Sequence, residues 1–296
     1  MKHPEPDEVD LLRLDGIVWG AERKGGLPVY DFPFDTFLPC SRSTWGNDSL
    51  TAIARVGAVE DYPAFYSAMR EHGVELIHTP DQHDLCSELP LWYPLPADLT
   101  PESRWYGKAP SAEEAADLFG WPLFLKGSRQ TSRHNAKLSI VHNAAEYDAA
   151  IASFAEDRIL HWQQIVLRKF IPLRPVAAEM GERIPAAFEF RTFWWKGQLA
   201  GAGPYFSEFA KYDWNPAERE AGLAIAKAAA RRVALPFVVV DIAQTQSGEW
   251  IVIEINDAQE SGYTGISPLL LWQEIVVMEE NGGAARSPGT AHYSQD

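Results

Sequence analysis

Two carboxylates in otherwise apolar strands are the side chains of this sequence most suited to chemistry. The segment EWIVIEIND alternates so that Glu254 and Asn256 share a strand face with Trp250, and the equally apolar segment FVVVD ends at Asp241. A hairpin between the two segments would bring the carboxylates together. Two carboxylates and an amide oxygen are ligands that Mg²⁺ accepts, with nucleotide phosphates completing the shell. The alternative is a carboxylate pair neutralised by Arg191 or by a lysine.

A basic segment without acidic residues lies between Leu118 and Ala145, in a chain whose net charge is −15. Its basic side chains are Lys126, Arg129, Arg133, His134 and Lys137. Two strand lysines and a mobile hairpin tip, SRQTSRHN, would suit a polyanion such as a phosphate chain, whereas the alternative is a solvated basic hairpin. Because Lys126 follows the apolar run WPLFL, it needs a counter-charge, which favours the phosphate site.

A third candidate is the pair Glu189 and Arg191, on the predicted strand AAFEFRTFWW. Alternation puts Glu189, Arg191 and Phe193 on one face of that strand. The acid and the base either satisfy each other or present one group to a nucleotide and the other to a transferred phosphoryl group. The spacing alone leaves both interpretations open.

The segment HTPDQHDLC combines His78, His83 and Cys86 at a spacing that could bind zinc. No fourth ligand is evident, so a polar loop after a strand is the better interpretation. The other cysteine, Cys40, has no base beside it that the sequence identifies, which argues against a catalytic thiol.

The composition bounds the class of protein. Of 296 residues, 26 are Lys or Arg, 41 are Asp or Glu and 46% are apolar, which is typical of a folded protein. The acidic balance argues against a general binder of nucleic acid or of membrane surfaces, because both are polyanionic. The sequence contains neither the pattern of a signal peptide nor that of a membrane span, and it has two cysteines. These features predict a soluble cytoplasmic protein.

The elements that must position these residues follow an α+β order. Helices are predicted over residues 62–72, 111–120, 144–155 and 216–233. Strands are predicted for VELIHTP, WPLFLKGS, AKLSIVH, IVLRKFIPL, AAFEFRTFWW, QLAGAGPYF, FVVVDIAQT and EWIVIEIND. The proline-rich segment 89–108 is predicted to be a connection, and residues 281–296 a flexible tail.

The order of these segments resembles the ATP-grasp superfamily, and within it most closely the clade named for one arginine and two lysines. The resemblance runs over about residues 111–275, through GWPLFLKG, the basic strand, IVLRKFIPL, EFRTFWWKGQL, VVVDIA and WIVIEIND. It implies an α+β fold in which two lobes hold ATP, preceded by a small α/β domain. The domains implied are 1–108 (pre-grasp), 109–280 (ATP-grasp, with lobes 109–165 and 166–280) and 281–296 (tail).

The resemblance also implies roles for individual residues. Lys126 would reach the α- and β-phosphates, Lys137 would be the second lysine, on the strand after the hairpin, and Arg191 would lie near the γ-phosphate. Arg168 is the candidate clade arginine, with Arg191 as the alternative, and it begins a hinge whose backbone would hold the adenine edge. The implied catalytic residues are Arg191, Lys126 and Lys137; the nucleotide-binding residues are Lys126, Lys137, Arg168, Lys169, Phe170, Ile171, Glu189 and Arg191; and the Mg²⁺ ligands are Asp241, Glu254 and Asn256.

The activity implied by the resemblance is an ATP- and Mg²⁺-dependent ligation. A carboxylate would be activated as an acyl phosphate and then attacked by an amine or another nucleophile, with ADP and phosphate as products. The acceptor would be an unidentified small molecule or peptide, and the loop Ser261–Thr264 is a candidate acceptor site because it follows the metal strand. The alternatives are an ATP-binding assembly factor for a protein partner, a phosphotransferase acting on a hydroxyl, and an anion-binding module without turnover.

Overall fold

The computed structural model describes residues 4–22, 32–43, 50–57, 59–129, 136–157 and 160–284. Among them the strands are β1 (Val9–Leu14), β2 (Ile17–Glu22), β3 (Ser41–Arg42), β4 (Leu50–Arg55), β5 (Val74–Leu76), β6 (Ser103–Tyr106), β7 (Leu123–Gly127), β8 (Ile140–Val141), β9 (Ile165–Lys169), β10 (Glu189–Trp195), β11 (Gln198–Pro204), β12 (Phe237–Gln244) and β13 (Trp250–Asp257). The α-helices are α1 (Phe34–Phe37), α2 (Tyr62–Glu71), α3 (Pro80–Ser87), α4 (Leu89–Trp92), α5 (Ala112–Phe119), α6 (Ala136–Ser139), α7 (Ala144–Glu156), α8 (Pro216–Val233) and α9 (Pro268–Ala284). A short 3-10 turn covers Pro6–Glu8. Most of the predicted hairpin tip, residues 130–135, lies outside the described residues.

The chain divides into two compact units, residues 1–77 with 267–296, and residues 78–266. This division reflects contacts within the chain and does not test the domain limits predicted near residues 108 and 280. Those limits therefore stay a prediction. Helix α9 extends into the segment predicted as a tail and ends at Ala284, and residues 285–296 lie outside the described part of the chain.

The first unit is built on a five-stranded sheet of order β3-β1-β2-β4-β5. Its β1–β2 and β1–β3 pairs are antiparallel, whereas β2–β4 and β4–β5 are parallel. Helix α2 packs on this sheet through Phe65 and Met69, which are fully buried with Val9 and Leu11 of β1. The unit therefore has the α/β character expected of the N-terminal region.

The second unit contains two four-stranded sheets, each covered by helices. One has the order β6-β9-β7-β8 and packs against α5 and α7; the other has the order β11-β10-β12-β13 and packs against α8. In the second sheet every pair of neighbouring strands is antiparallel. The two lobes of α+β character predicted for this part of the chain are confirmed.

Local sequence signals explain where the helices of this unit begin and end. Ser111 and Glu114 form a reciprocal capping box at the start of α5, and Gly120 follows its last turn at φ +69°. Asn215 and Glu218 form the same box at the start of α8. These helices occupy the ranges predicted for them to within one residue.

The prediction of a strand for AKLSIVH is wrong in its first half. Residues Ala136–Ser139 form the short helix α6, and only Ile140–Val141 pair with β7. Ala, Lys and Leu favour helix, whereas the β-branched pair Ile-Val favours strand. Lys137 therefore lies on a helix and is exposed, rather than on the strand after the hairpin.

The prediction of a polar loop for HTPDQHDLC is also wrong. Residues Pro80–Ser87 form helix α3, capped by Thr79, whose side chain and that of Gln82 form a capping box with a proline at the first helical position. His83 and Cys86 on this helix are fully buried, as is His78 before it. The order Thr-Pro-x-Gln was the signal for this helix. The segment 89–108, predicted as a connection, similarly contains α4 and the edge strand β6.

A β-bulge in β13 changes the face on which Glu254 lies. Asp241 is paired with Glu254 but Ile242 with Val252, so Ile253 is an extra residue in the ladder. Val252 and Ile255 both pack in the core against α8. Strict alternation would place Glu254 with Trp250 and Val252, but Glu254 lines the cavity whereas Val252 packs in the core, so this part of the prediction is wrong. Glu254 and Asn256 do lie beside each other, as predicted.

No helix in the described ranges combines the length and the apolar character needed to cross a membrane.

Candidate functional site

A cavity of about 370 Å³ lies in the second unit, between its two sheets. Residues of β7, β8 and β9 form one wall, and residues of β10 and β13 form the other. Seven of the predicted site residues line it: Lys126, Arg168, Lys169, Phe170, Ile171, Glu189 and Glu254. The remaining predicted residues, Lys137, Arg191, Asp241 and Asn256, are not part of its wall.

The cavity combines an apolar part with a charged part. Its apolar wall includes the segment after β9, Phe170–Leu173, and the segment Ile184–Ala187, which sequence reasoning missed. Its charged side chains are Lys126, Arg168, Lys169, Glu189 and Glu254. Among them Lys126, Arg168, Glu189 and Glu254 influence one another electrostatically. Such a mixture suits a ligand with an aromatic end and an anionic end.

Three charged residues form a row across the sheet β10-β12-β13. Arg191 is paired with Asp241, and Asp241 is paired with Glu254, so the hairpin brings the two carboxylates side by side as predicted. Arg191 binds Asp241 in a bidentate manner, Nε to Oδ1 at 2.9 Å and Nη2 to Oδ2 at 2.7 Å. Burial alone would lower the pKa of Arg191, but the adjacent Asp241 outweighs it, and the pKa is raised.

Lys126 and Glu254 form a second buried ion pair, between β7 and β13. The Lys126 side chain is 5% exposed and that of Glu254 19%. Burial lowers the pKa of Lys126, and Glu254 opposes this shift. Lys126 and Arg191, which are predicted to bind phosphates, thus neutralise Glu254 and Asp241, which are predicted to bind Mg²⁺. This neutralisation within the chain is the alternative interpretation of the two carboxylates.

Arg168 is the most constrained cation of the cavity. Its Nε donates to Ser103 Oγ at 2.9 Å and its Nη1 donates to the carbonyl oxygen of Ile253 at 2.7 Å. Its buried Nη2 has no hydrogen-bond partner among the described residues. Burial lowers the pKa of this guanidinium to about 10. A buried donor without a partner is costly, and an acceptor group of a ligand in the cavity would remove that cost.

Glu189 is the buried acid of the cavity wall. Its side chain is 6% exposed, and burial, together with the nearby Asp241, raises its pKa well above the usual value. Tyr205, another wall residue, lies with its ring 5.1 Å from the guanidinium carbon of Arg191. Glu189 and Arg191 therefore do not satisfy each other, because Arg191 is committed to Asp241.

The predicted metal ligands lie on neighbouring strand positions. Asn256 Nδ2 is 3.4 Å from Glu254 Oε2, and Glu254 lies opposite Asp241 in the ladder. The three side chains offer hard oxygen donors, the type that Mg²⁺ prefers. The donor set therefore fits the metal that the sequence predicts.

The loop after β13 is tied to the charged row. Arg191 Nη1 donates to the carbonyl oxygen of Gly262 at 3.0 Å, and Ser261 Oγ donates to that of Asp257 at 2.7 Å. Gly203 of β11 allows the loop to approach, because a Cβ atom there would lie 2.8 Å from the backbone of Gly265. The candidate acceptor loop 261–264 thus follows the metal strand and contacts Arg191.

Comparison with known proteins adds family information to this geometry. The family model described as "ATP-grasp domain, R2K clade family 3" matches residues 113–275. The chain matched none of the curated proteins with which it was compared.

Two solved structures illustrate the fold. A RimK domain protein ATP-grasp from Sphaerobacter thermophilus is 18% identical, with a TM-score of 0.50 over 72% of this chain and 74% of that one. A D-alanine–D-alanine ligase from Bacillus anthracis complexed with ATP is 13% identical, with a TM-score of 0.54 over 80% of each chain. At these identities the similarity concerns the fold alone.

Proposed function

The chain belongs to family 3 of the R2K clade of ATP-grasp domains, and from this premise we propose that it is an ATP- and Mg²⁺-dependent ligase. The observation that carries the proposal is the cavity in which an apolar segment meets Lys126, Arg168 and Glu254. It offers an apolar surface for a base beside cations for phosphates, in a single space of about 370 Å³.

The nucleotide would extend from the apolar part of the cavity to its charged part. The backbone after β9, at Lys169, Phe170 and Ile171, would hold the edge of the base. Glu189 would accept hydrogen bonds from the ribose, and Lys126 and Arg168 would bind phosphate oxygens. The partnerless Nη2 of Arg168 supports this assignment, because a phosphate oxygen would satisfy it.

The metal would be held by Asp241, Glu254 and Asn256. Bound there, Mg²⁺ would neutralise phosphate charge and orient the phosphate chain. The three residues would release part of their present contacts, because Arg191 and Lys126 now bind the two carboxylates. Anionic phosphates would in turn compete for these cations.

The proposed reaction needs positioning and charge neutralisation rather than a protein nucleophile. A substrate carboxylate oxygen would attack the γ-phosphorus, forming an acyl phosphate and breaking the bond to ADP. An amine or another nucleophile would then attack the acyl carbon and expel phosphate. Arg191 and Lys126 would stabilise the charge on the transferred group, and Lys137, on the exposed helix α6, stays a predicted contributor.

The acceptor would be a small molecule or a peptide in the loop 261–264, which Arg191 contacts through Gly262. A cytoplasmic location stays a prediction as well.

Calorimetry tests the nucleotide site. We would titrate ATP with and without Mg²⁺ into the wild type, into Glu254→Gln and into the control Glu249→Gln, whose carboxylate is exposed in the turn before β13. We expect Mg²⁺-dependent binding to the wild type and the control, and binding at least about tenfold weaker to Glu254→Gln, as for a lost charged contact. A wild type that binds neither ATP nor ADP would refute the proposal.

A second assay separates ligation from other ATP-dependent activities. ADP release would be measured with pools of small carboxylic acids and amines, each alone and both together. Release that requires both an acid and an amine supports a ligase. A phosphorylated product without condensation would identify a phosphotransferase instead, and tight binding without turnover would identify an assembly factor.

A further inference from the structure

A buried cluster of two histidines and one aspartate lies in the second unit, beyond the cavity. His78 Nδ1 and His83 Nδ1 each lie 3.0 Å from Asp257 Oδ2. All three side chains are at most 1% exposed. Asp257 comes directly after Asn256, so the cluster adjoins the predicted metal ligands.

The partners of the two rings determine where their protons lie. The backbone N–H of Phe237 donates to His78 Nε2 at 3.3 Å, and the guanidinium of Arg129 contacts His83 Nε2. His78 Nε2 accepts from this N–H, whereas His83 Nε2 faces both the Arg129 guanidinium and Glu260 Oε1, which is 3.9 Å away. Because a carboxylate only accepts, Nδ1 of each ring carries the proton that lies towards Asp257. Both imidazoles therefore donate to Asp257.

This proton arrangement argues against a metal at the cluster. The ligand atoms of His78, Cys86 and Asp257 lie within 4.8 Å of one another, so Asp257 is the further ligand that the sequence did not reveal. However, His78 Nδ1 carries a proton and cannot coordinate a cation. The Cys86 thiol contacts the backbone oxygens of Gln82 and His83, and burial raises its pKa well above the usual value.

Asp257 is instead a buried carboxylate surrounded by hydrogen-bond donors. Besides the two imidazoles, the backbone N–H of Gln259 donates to it at 2.8 Å and the Gln259 side chain at 3.2 Å. The cation that faces this charge is Arg129, across the ring of His83.

Two bridges thus connect the regions of β7 and β13. Lys126 binds Glu254 directly, and three residues further along each segment Arg129 reaches Asp257 through His83. Arg129 comes three residues after Lys126 in the sequence and is not part of the cavity wall.

Arg129 differs from Lys126 and Arg191 in its partners. Lys126 and Arg191 are each paired with a carboxylate, whereas no carboxylate among the described residues forms an ion pair with Arg129. Its side chain is partly exposed, and a guanidinium has five N–H donors. One of them faces His83, which leaves others for an anion.

We propose that Arg129 binds the terminal phosphate of the nucleotide and that His83, anchored by Asp257, is the residue that positions its guanidinium. The assignment rests on the proposed ATP site. It adds a phosphate-binding cation outside the cavity wall, together with a buried support for it.

Nucleotide binding by Arg129→Gln tests the first half of this proposal. We would measure the affinity for ADP and for a non-hydrolysable ATP analogue, both with Mg²⁺, in the wild type, in Arg129→Gln and in the control Arg219→Gln, an exposed arginine of α8. We expect Arg129→Gln to bind the triphosphate at least about tenfold more weakly and ADP within about twofold of the wild type. Equal weakening of both nucleotides, or of neither, would overturn the proposal.

Two substitutions of His83 test the positioning role. His83→Asn keeps a donor where Nδ1 faces Asp257 but loses the acceptor that faces Arg129, whereas His83→Gln keeps an acceptor near the position of Nε2. We expect His83→Asn to weaken binding of the triphosphate alone, by about threefold, and His83→Gln to bind both nucleotides like the wild type. If both variants, folded by their thermal transitions, match the wild type, His83 does not position Arg129. A wild type that binds neither nucleotide would refute the ligase proposal itself.

Discussion

The carboxylates of β12 and β13 fall into two groups that differ in what neutralises them. Asp241 and Glu254 are bound by the cations Arg191 and Lys126, whereas Asp257 is bound by imidazole and amide N–H donors. Ion pairs can be exchanged for other charges, because a metal can replace the cation and a phosphate can replace the anion. Donors that are fixed by a buried helix and by backbone offer no such exchange. Asp241 and Glu254 are therefore suited to a site whose partners change when a ligand binds. Asp257 is suited to a fixed structural role, as an anchor for His78 and His83.

The largest expected effect comes from breaking an ion pair of the first group. Asp241→Asn leaves the Arg191 guanidinium buried without its bidentate partner, and we expect the free energy of unfolding to fall by about 3–5 kcal/mol. Urea denaturation measures it. The double variant Arg191→Met with Asp241→Leu should be more stable than the single variant, because apolar residues can replace a buried pair. A double variant as unstable as Asp241→Asn would show that the pair itself is not the cause.

A smaller loss of stability is expected when the anchor residue, Asp257, is substituted. In Asp257→Asn the amide nitrogen meets imidazole N–H groups, and His78 cannot shift its proton because Phe237 N–H faces its other nitrogen. We expect the free energy of unfolding to fall by about 2 kcal/mol, the cost of buried donors left unsatisfied. ADP affinity should stay within about twofold. The matched control is Asp148→Asn on the exposed side of α7, and a tenfold loss of ADP affinity in Asp257→Asn would remove the distinction between anchor and site.

Glu189, whose carboxyl group has neither kind of partner among the described residues, gives a pH-dependent effect. Because its pKa in the folded chain is raised above 4.5, its contribution to stability is fully present below pH 4.5 and is lost as the pH rises through the folded-state pKa. Glu189→Gln removes this loss. In a chelating buffer the variant should gain on the wild type by about 1.4 kcal/mol per pH unit above 4.5, until the folded-state pKa is reached. If the free energies of unfolding of the variant and the wild type changed in parallel with pH across this range, the pKa of Glu189 would not be raised in the folded chain.

The smallest effect is expected for an ion pair at the surface. Arg232 binds Asp98 through both guanidinium nitrogens, but the side chains are 38% and 65% exposed. Solvent screens such a pair, so Asp98→Asn should leave the thermal midpoint unchanged within error. If Asp98→Asn lowered stability as much as Asp241→Asn, the loss of an ion pair would explain both effects and burial would not be the cause of the large effect at Asp241.

Features encoded over a few residues were predictable. The capping boxes at Ser111 and Asn215 determine where two helices begin, and the turn between β12 and β13 brings Asp241 beside Glu254. The capping box at Thr79 is an equally local signal, and it explains why residues 80–87 form helix α3 and not the predicted loop. The strand prediction for Lys137 is wrong because the strand pattern of its segment holds only for Ile140–Val141.

Features that depend on distant partners were not predictable from the pattern. The bulge at Ile253 arises from the register with β12 and turns Glu254 towards the cavity, against the strict alternation of its own strand. Lys126 meets Glu254 across 128 residues of sequence. No periodicity within either strand specifies which cation will neutralise which carboxylate.

By itself, the sequence determined four of the described helices (α2, α5, α7 and α8), most strands, the order of segments that shows the family and the presence of buried charges. These are properties of local propensity and of alternation within single elements. Only the tertiary structure decided which buried charges are exchangeable and which one is an anchor. Asp257 meets His78 and His83 across 179 and 174 residues, and the groups that reach the other nitrogen of each ring come from further distant residues, Phe237, Arg129 and Glu260.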